Sequence, residues 1–522
     1  MNLPQDYFQQ ALALHQAGQL AQAQSMYQQI LAAQPNHFAA LHMLGVIASQ
    51  TNNFQRAVDL IGQAIQIQPG NPTFYFNRAH ALKELSQFQA ARASYEKAIV
   101  LKPDYVVAHH ARAVLLADMD QHQAALEGFD KAIALAPNDA FILNNRGNTL
   151  QKLKQFELAA DSYQRAINIM PNFAQAFNNL GNTLHELGQL DAAVAMYDKA
   201  VSIDPEFDDA QWNKSYTLLT RGDFANGLPL HEKRWKSSAY QALQRNFTQP
   251  LWLGGQSLAN KTTLLHSEQG LGDTIQFCRY AKMVAALGAR VILEVPHTLV
   301  GLLKTIDGVN ELVARGSVLP PFDYHCPLLS LPLAFQTDFA TIPSGQRYVS
   351  ADPSKVEQWK LKLGAKTQPR VGVVWCSTSK FPGDAMRSLR LQDFARALAD
   401  SGCEYICLQK EINAADKKTL KLLGNIRFFG EDLNDFSDTA SLIECLDIVV
   451  GTCTSVPHLA CALGKPTYLL LSYAPDWRWL LNRNDSPWYP SAKLFRQESP
   501  GAWDGVFANV KVELEKFLAK LS

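Results

Sequence analysis

Residues 140–173 read AFILNNRGNTLQKLKQFELAADSYQRAINIMPNF, and the same pattern recurs every 34 residues over the first two-fifths of the chain. Prolines stand at 35, 69, 103, 137, 171 and 205, marking six units that begin at positions 4, 38, 72, 106, 140 and 174. The twentieth residue of each unit is alanine: Ala23, Ala57, Ala91, Ala125, Ala159 and Ala193. The eighth is small (Ala11, Gly45, Ala79, Ala113, Gly147, Gly181), and the twenty-fourth is large (Tyr27, Ile61, Tyr95, Phe129, Tyr163, Tyr197). Two helices approach closely only where one presents Ala or Gly, and a large residue then fills the groove beside the contact. Proline ends the second helix because it lacks an N–H and disfavours helix in the residue before it. The spacing therefore predicts six helical hairpins, with Asn36, Asp104, Asn138 and Asn172 expected as N-caps of the helices that follow.

This pattern resembles the tetratricopeptide family, which implies an all-α superhelix over 1–207 with a concave face that takes a protein partner. The sixth position of the unit carries Asn77, Asn145, Asn179 and Asn213, and the ninth carries Asn148 and Asn182. Asparagine is a poor helix former, so helix propensity does not recommend it there. In the repeat arm of the O-GlcNAc transferase family, asparagines at the matching position hold the backbone of a client peptide. An amide suits that task because it offers donor and acceptor together. Two readings stand: a peptide-binding ladder, or amides that satisfy one another and cap neighbouring turns.

Residues 208–250 still read as helical, but the alanine positions lapse and Trp212 and Trp235 supply bulk. They are expected to form an atypical capping hairpin and linker. Overall composition, 47% hydrophobic and 18% charged, is that of a globular protein. Lys+Arg and Asp+Glu balance at 48 each, so no basic excess argues for nucleic acid or an anionic membrane surface. No apolar run approaches the roughly 18 residues of a membrane span. All eight cysteines lie between Cys278 and Cys461 without a CxxC pair, which suits reduced thiols in a cytoplasmic protein.

After Pro250 short apolar runs alternate with amphipathic stretches. Thr262–His266, Arg290–Val295, 370–376, 404–408, 447–451 and Thr467–Leu471 are buried-strand candidates, and the alternation implies parallel sheets covered by helices. A second start at Arg370 divides the region into two Rossmann-like halves, 251–350 and 351–500, with a cleft between them and a closing helix in 501–522 expected to cross back to the first half. The first strand runs into SEQGLGDTIQF (267–277), where Gly270 and Gly272 are read as a sharp turn and Asp273 as a helix cap or a cleft carboxylate. The third glycine and ribose acid of a dinucleotide fingerprint are missing.

The strand–EQGLGD–helix opening resembles the heptosyltransferase-like glycosyltransferases of the GT-B fold, family 9 and its relatives. The resemblance implies a catalytic-base role for Asp273 towards the acceptor. Residues 370–391 (RVGVVWCSTSKFPGDAMRSLRL) resemble the family's donor-diphosphate loop, with Arg387 at the diphosphate-binding position and Ser377 and Thr378 before it. Gln409 and Lys410 follow the next strand, where the family places ribose and base contacts. The stretch 451–466 (GTCTSVPHLACALGKP) resembles the family's Asp-Thr/Ser-x-x-x-His-Leu-Ala element, so Thr454, Ser455 and His458 are implied at the nucleotide diphosphate. Cys453 stands where that element has aspartate, and a thiol does not accept hydrogen bonds as a carboxylate does. Outside the motif, His458 reads as an ordinary helix histidine. Trp477 and Trp479, within PDWRW (475–479), read equally as a sugar-stacking site or as an aromatic plug.

Together these resemblances imply a transferase that moves a sugar from a nucleotide-sugar co-substrate to Ser or Thr of a protein held by the repeats, with bacterial flagellin as the expected kind of acceptor. No other cofactor is expected. The only Asp-x-Asp, Asp118-Met-Asp120, falls inside a repeat and reads as a solvated face, so no metal is expected either. Two other functions fit the same features: a transferase acting on a lipid-linked or small glycan, and a non-catalytic scaffold with a degenerate donor site.

Overall fold

The computed structural model describes residues 6–345, 347–377, 387–398 and 402–521. It opens with paired helices: Tyr7–Gln16 with Leu20–Ala33, Phe38–Gln50 with Phe54–Ile67, Pro72–Glu84 with Phe88–Leu101, Val106–Asp118 with His122–Leu135, Ala140–Lys152 with Phe156–Ile169, and Ala174–Glu186 with Leu190–Ile203. A seventh pair, Asp208–Thr220 and Phe224–His231, follows. The spacing rule has a direct steric basis. A Cβ placed on Gly45 would lie 2.5 Å from Ile61, and one on Gly147 would lie 2.5 Å from Tyr163, so the large residue of each unit occupies the space the small one vacates. All six alanines of the twentieth position are fully buried.

The expected caps are displaced by one residue. His37 and Asp139, rather than Asn36 and Asn138, accept the first-turn N–H groups, and Tyr105 rather than Asp104 precedes its helix. The proline and the residue after it form the turn between helices, which moves the cap one place along.

The remainder is α/β. Strands β1 (Thr262–His266), β2 (Arg290–Val295), β3 (Glu311–Ala314) and β4 (Tyr324–Pro327) form an all-parallel sheet in the order β3-β2-β1-β4. Strands β5 (Arg370–Val374), β6 (Glu404–Cys407), β7 (Ile426–Phe428), β8 (Ile448–Thr452), β9 (Thr467–Leu471) and β10 (Ala492–Arg496) form a second parallel sheet, β10-β9-β8-β5-β6-β7. The fold class expected from the sequence, tetratricopeptide hairpins followed by an α/β region with two parallel sheets, is the one the chain adopts.

The chain divides into two compact units, Met1–Thr183 and Leu184–Ser522, so the helix Leu190–Ile203 and the seventh pair belong with the sheets. Gly188 is left-handed (φ +72), and a Cβ there would meet the Tyr473 hydroxyl at 2.9 Å. The helix Asp208–Thr220 packs on the 3-10 turn Trp477–Trp479, and Leu219, Phe224 and Leu228 enter the main α/β core. That core is continuous between the sheets: the helix Leu271–Phe277 packs on Ser455–Ala462, and His297–Leu303 packs on Phe436–Glu444. The closing helix, Asp504–Leu518, does not cross back to the first half as expected. Its Val506, Phe507, Val510, Leu514 and Leu518 pack with Val371, Tyr405 and Phe495 of the second sheet's other face, beside Leu391 and Phe394. Among the described residues no helix is long and apolar enough to cross a membrane, and all eight cysteines are free thiols.

Candidate functional site

In open parallel sheets ligands bind beyond the carboxyl ends of the strands, where the strand order reverses. The first sheet reverses between β1 and β4, and SEQGLGD follows β1. The second reverses between β5 and β8, and the loops after those strands carry Ser377 and Cys453-Thr454-Ser455. Topology alone therefore assigns three of the singled-out segments to switch points.

Gly270 caps the helix Leu271–Phe277 in extended conformation (φ −73), and its N–H donates to Asp273 Oδ2 at 2.8 Å. Gly272 is needed for proximity rather than for a sharp turn, since neither glycine has positive φ. A Cβ on Gly272 would lie 2.9 Å from His458 Cδ2 and 3.5 Å from Ser455 Cα. The loop after β1 is thus pressed against the helix that follows β8. Asp273 Oδ1 accepts from Arg478 Nη2 at 2.5 Å, and its side chain remains 21% exposed.

On the facing element, Thr454 precedes the helix Ser455–Ala462 but makes no side-chain cap. Among the described residues its Oγ1 and that of Thr452 are buried without a hydrogen-bond partner. Four backbone N–H groups and the positive end of the helix dipole also face that point, an arrangement that favours an anion. His458 is buried. Its Nδ1 lies 3.0 Å from the Tyr489 hydroxyl, and burial, with Arg478 adding to it, pulls its pKa down to about 3, so it is neutral. Cys453 Sγ accepts from Trp479 Nε1 at 3.0 Å; burial first, then the Asp476 charge, pushes the thiol up to about 11. Arg387 is close enough for its charge to act on both Cys453 and His458.

Other expected site residues lie apart from this group. Gln409 is buried and staples the ends of β5 and β6: its Oε1 accepts from Trp375 N at 2.9 Å, and its Nε2 contacts Cys376 Sγ at 3.1 Å. Lys410 reaches the Asn434 carbonyl at 3.2 Å, and Ser377 N donates to Ser388 Oγ at 3.2 Å. Thr378 lies outside the described residues. Trp477 and Trp479 are not a sugar platform. They are 3% and 0% exposed, and Trp477 packs with Phe224, Phe277 and Trp488 in the core.

The repeat amides are largely engaged with neighbouring repeats. Asn77 bonds His42 at 2.8 Å, Asn145 bonds His110 at 2.9 Å, and Asn179 donates to Asn144 and Asn148, each at 3.0 Å. Asn148 also accepts from Tyr163 at 2.7 Å. Asn182 and Asn213 have partners as well. The bonds of Asn77, Asn145 and Asn179 link successive hairpins, close to the role the second reading gives these amides.

Sequence reasoning missed Arg234, and it read Arg478 with Asp476 only as neighbours of a sugar-stacking site. Arg234, fully buried, forks onto Glu268 at 2.8 and 3.0 Å and onto Ser330 at 2.7 Å, tying the segment before the sheets to the Asp273 loop. Arg478 holds Asp476 through Nη1 at 2.9 Å to both carboxylate oxygens. The sequence signals were an arginine between two tryptophans and an acid inside a glycine loop.

Residues 8–72, 72–105, 129–160, 152–188 and 174–207 match family descriptions of the tetratricopeptide, or TPR, repeat. Residues 8–105 and 129–207 are therefore tetratricopeptide repeats. Stacked repeats of this kind present a concave surface of the sort used for protein interaction. Among curated proteins, the chain is 26% identical over 328 residues to Protein FlbA of Caulobacter vibrioides, covering 58% of this chain and 54% of that one. The chain thus spans about half the length of this relative, and the match extends beyond the repeats. The solved structure of YrrB, a TPR protein with an unusual peptide-binding site, is 20% identical over 35% of this chain and 95% of its own, with a TM-score of 0.32. A tetratricopeptide repeat protein from Parabacteroides merdae is 16% identical over 44% and 90% of the two chains, with a TM-score of 0.37.

Proposed function

We propose that the Leu184–Ser522 unit is a glycosyltransferase that moves a sugar from a nucleotide sugar to a Ser or Thr hydroxyl of a protein client recruited by the repeats. The observation that carries this reading is the convergence of Gly272, beside Asp273, on Ser455 and His458 at the switch-point ends of two parallel sheets. In the reaction the client hydroxyl oxygen forms a bond to the anomeric carbon as the bond to the diphosphate breaks. The diphosphate leaves with the bonding electrons, and the hydroxyl proton passes to Asp273. Arg387, the Thr454 hydroxyl, Ser455 and the helix-end N–H groups stabilise the negative charge that develops on the leaving diphosphate. The orphaned Thr454 hydroxyl supports that role, because a buried donor without a partner is costly unless a ligand completes it.

The client is of the flagellin-like kind that bacteria modify before export, and the reaction takes place in the cytoplasm, where free thiols persist. The test is intact-mass analysis of clients co-purified from the native cell with wild-type protein and with Asp273→Ala. Added hexose-range mass with the first and none with the second is expected, with client capture unchanged. Full modification by Asp273→Ala sinks the base assignment.

A second reading, a scaffold without transfer, is favoured by Cys453. That thiol is enclosed and already bonded to Trp479. Thermal-shift titration with UDP, GDP and CMP separates the two, since a scaffold is stabilised by none of them.

A further inference from the structure

The PDWRW segment encloses an arginine rather than a sugar. The Arg478 guanidinium lies 4.8 Å from the Trp477 ring centre and 5.2 Å from that of Phe277, and its side chain is 5% exposed. Asp476 fixes one end through both carboxylate oxygens, and Nη2 reaches Asp273, 205 residues earlier and in the other half of the α/β unit. We infer that Arg478 is a positioning residue that sets the orientation of the Asp273 carboxylate from across the two halves.

Two fixed points define that carboxylate. Oδ2 is held by the Gly270 N–H and Oδ1 by Arg478, so rotation about the last side-chain bond is arrested. Each oxygen keeps a further lone pair, and the exposed part of the side chain can accept from an incoming hydroxyl. Pre-setting a reacting group in this way lowers the entropy lost on reaching the transition state. Stability alone explains the cluster poorly. Among the described residues Arg478 Nε is buried without a partner, and buried ion pairs are commonly replaceable by well-packed apolar residues without loss.

The inference rests on the reading of Asp273 as acceptor base, and two measurements on the full chain keep the two claims separable. The first is a thermal-unfolding cycle of Asp273→Asn, Arg478→Gln and the double variant, which assumes nothing about transfer. The double variant is expected to lose less than the sum of the singles; additive losses overturn the coupling. The second is the rate of modification of a co-purified client at several client concentrations. Arg478→Gln is expected to lower kcat at least about tenfold with client KM little changed, and Arg478→Lys to recover part of it, since lysine keeps the charge but not the fork. Asp476→Asn, which loosens the arginine without removing it, is expected to fall between. A KM effect alone, or wild-type kcat in Arg478→Gln, overturns the inference. Wild-type protein that modifies no client removes the base reading and with it the positioning role, while the unfolding cycle still tests whether the two side chains are coupled.

Discussion

The repeat unit and the α/β unit solve their packing at different ranges along the chain. In the repeats, Gly147 meets Tyr163 sixteen residues later and Asn145 meets His110 thirty-five residues earlier, so each contact is made within a hairpin or with the next one. In the α/β unit, Arg478 meets Asp273 across 205 residues and Arg279 donates to the Trp488 carbonyl across 209. The first arrangement tolerates local damage and the second concentrates it.

The largest expected effect follows from where the boundary falls. A chain that starts at 251 loses Leu219, Phe224 and Leu228 from the α/β core and leaves Glu268 buried without Arg234. It is expected to show no cooperative melt by circular dichroism, whereas a chain starting at 174 melts cooperatively. A cooperative, monomeric 251–522 fragment would break the distinction.

Next comes Arg234→Met, which strands the Glu268 carboxylate and is expected to cost about 3–5 kcal/mol in urea unfolding. Arg234→Met with Glu268→Leu is expected to recover most of that, because no lone charge remains. Equal losses in both variants would show that the fork itself, not the stranded charge, matters.

A smaller effect is the pH dependence of the repeats. Burial pulls His42 down from 6.5 to about 4, and His110 is lowered for the same reason. The folded repeats therefore prefer the neutral rings while the unfolded chain takes up protons below about 6.5. Repeat stability is full above that pH and falls as pH drops towards about 4, where the folded form also protonates. His42 contributes at most about 3 kcal/mol of this. Unfolding of residues 1–183 across that window is the measurement, and a flat profile in wild type would contradict the neutral His42–Asn77 bond. The slope is expected to weaken in His42→Gln.

The smallest is Gly147→Ala, whose Cβ collides with the Tyr163 ring and is expected to cost about 1–3 kcal/mol. Differential scanning calorimetry should place the loss in a repeat transition and leave the α/β transition where it was.

Of the candidate site, the sequence offered the segments but not their use. EQGLGD and TSVPH are legible as motifs, yet their contact through Gly272 and His458 depends on two sheets coming together. PDWRW reads as a possible stacking surface because an indole ring looks the same in sequence whether it stacks on a ligand or sheaths an arginine. Gln409 likewise carries a polar side chain at a strand end, and only burial reveals that its amide is spent on Trp375 and Cys376.

By itself the sequence determined the hairpins, because small and large residues sixteen apart fix helix contacts within one unit and a proline every 34 residues ends each one. It also determined the alternation of strands and helices, which follows from apolar runs a few residues long. Tertiary structure alone decided that the helix Leu190–Ile203 belongs with the sheets and that Asp273 is gripped by Arg478. Charge pairing and burial between distant segments leave no periodic trace along the chain, so no local pattern could announce them.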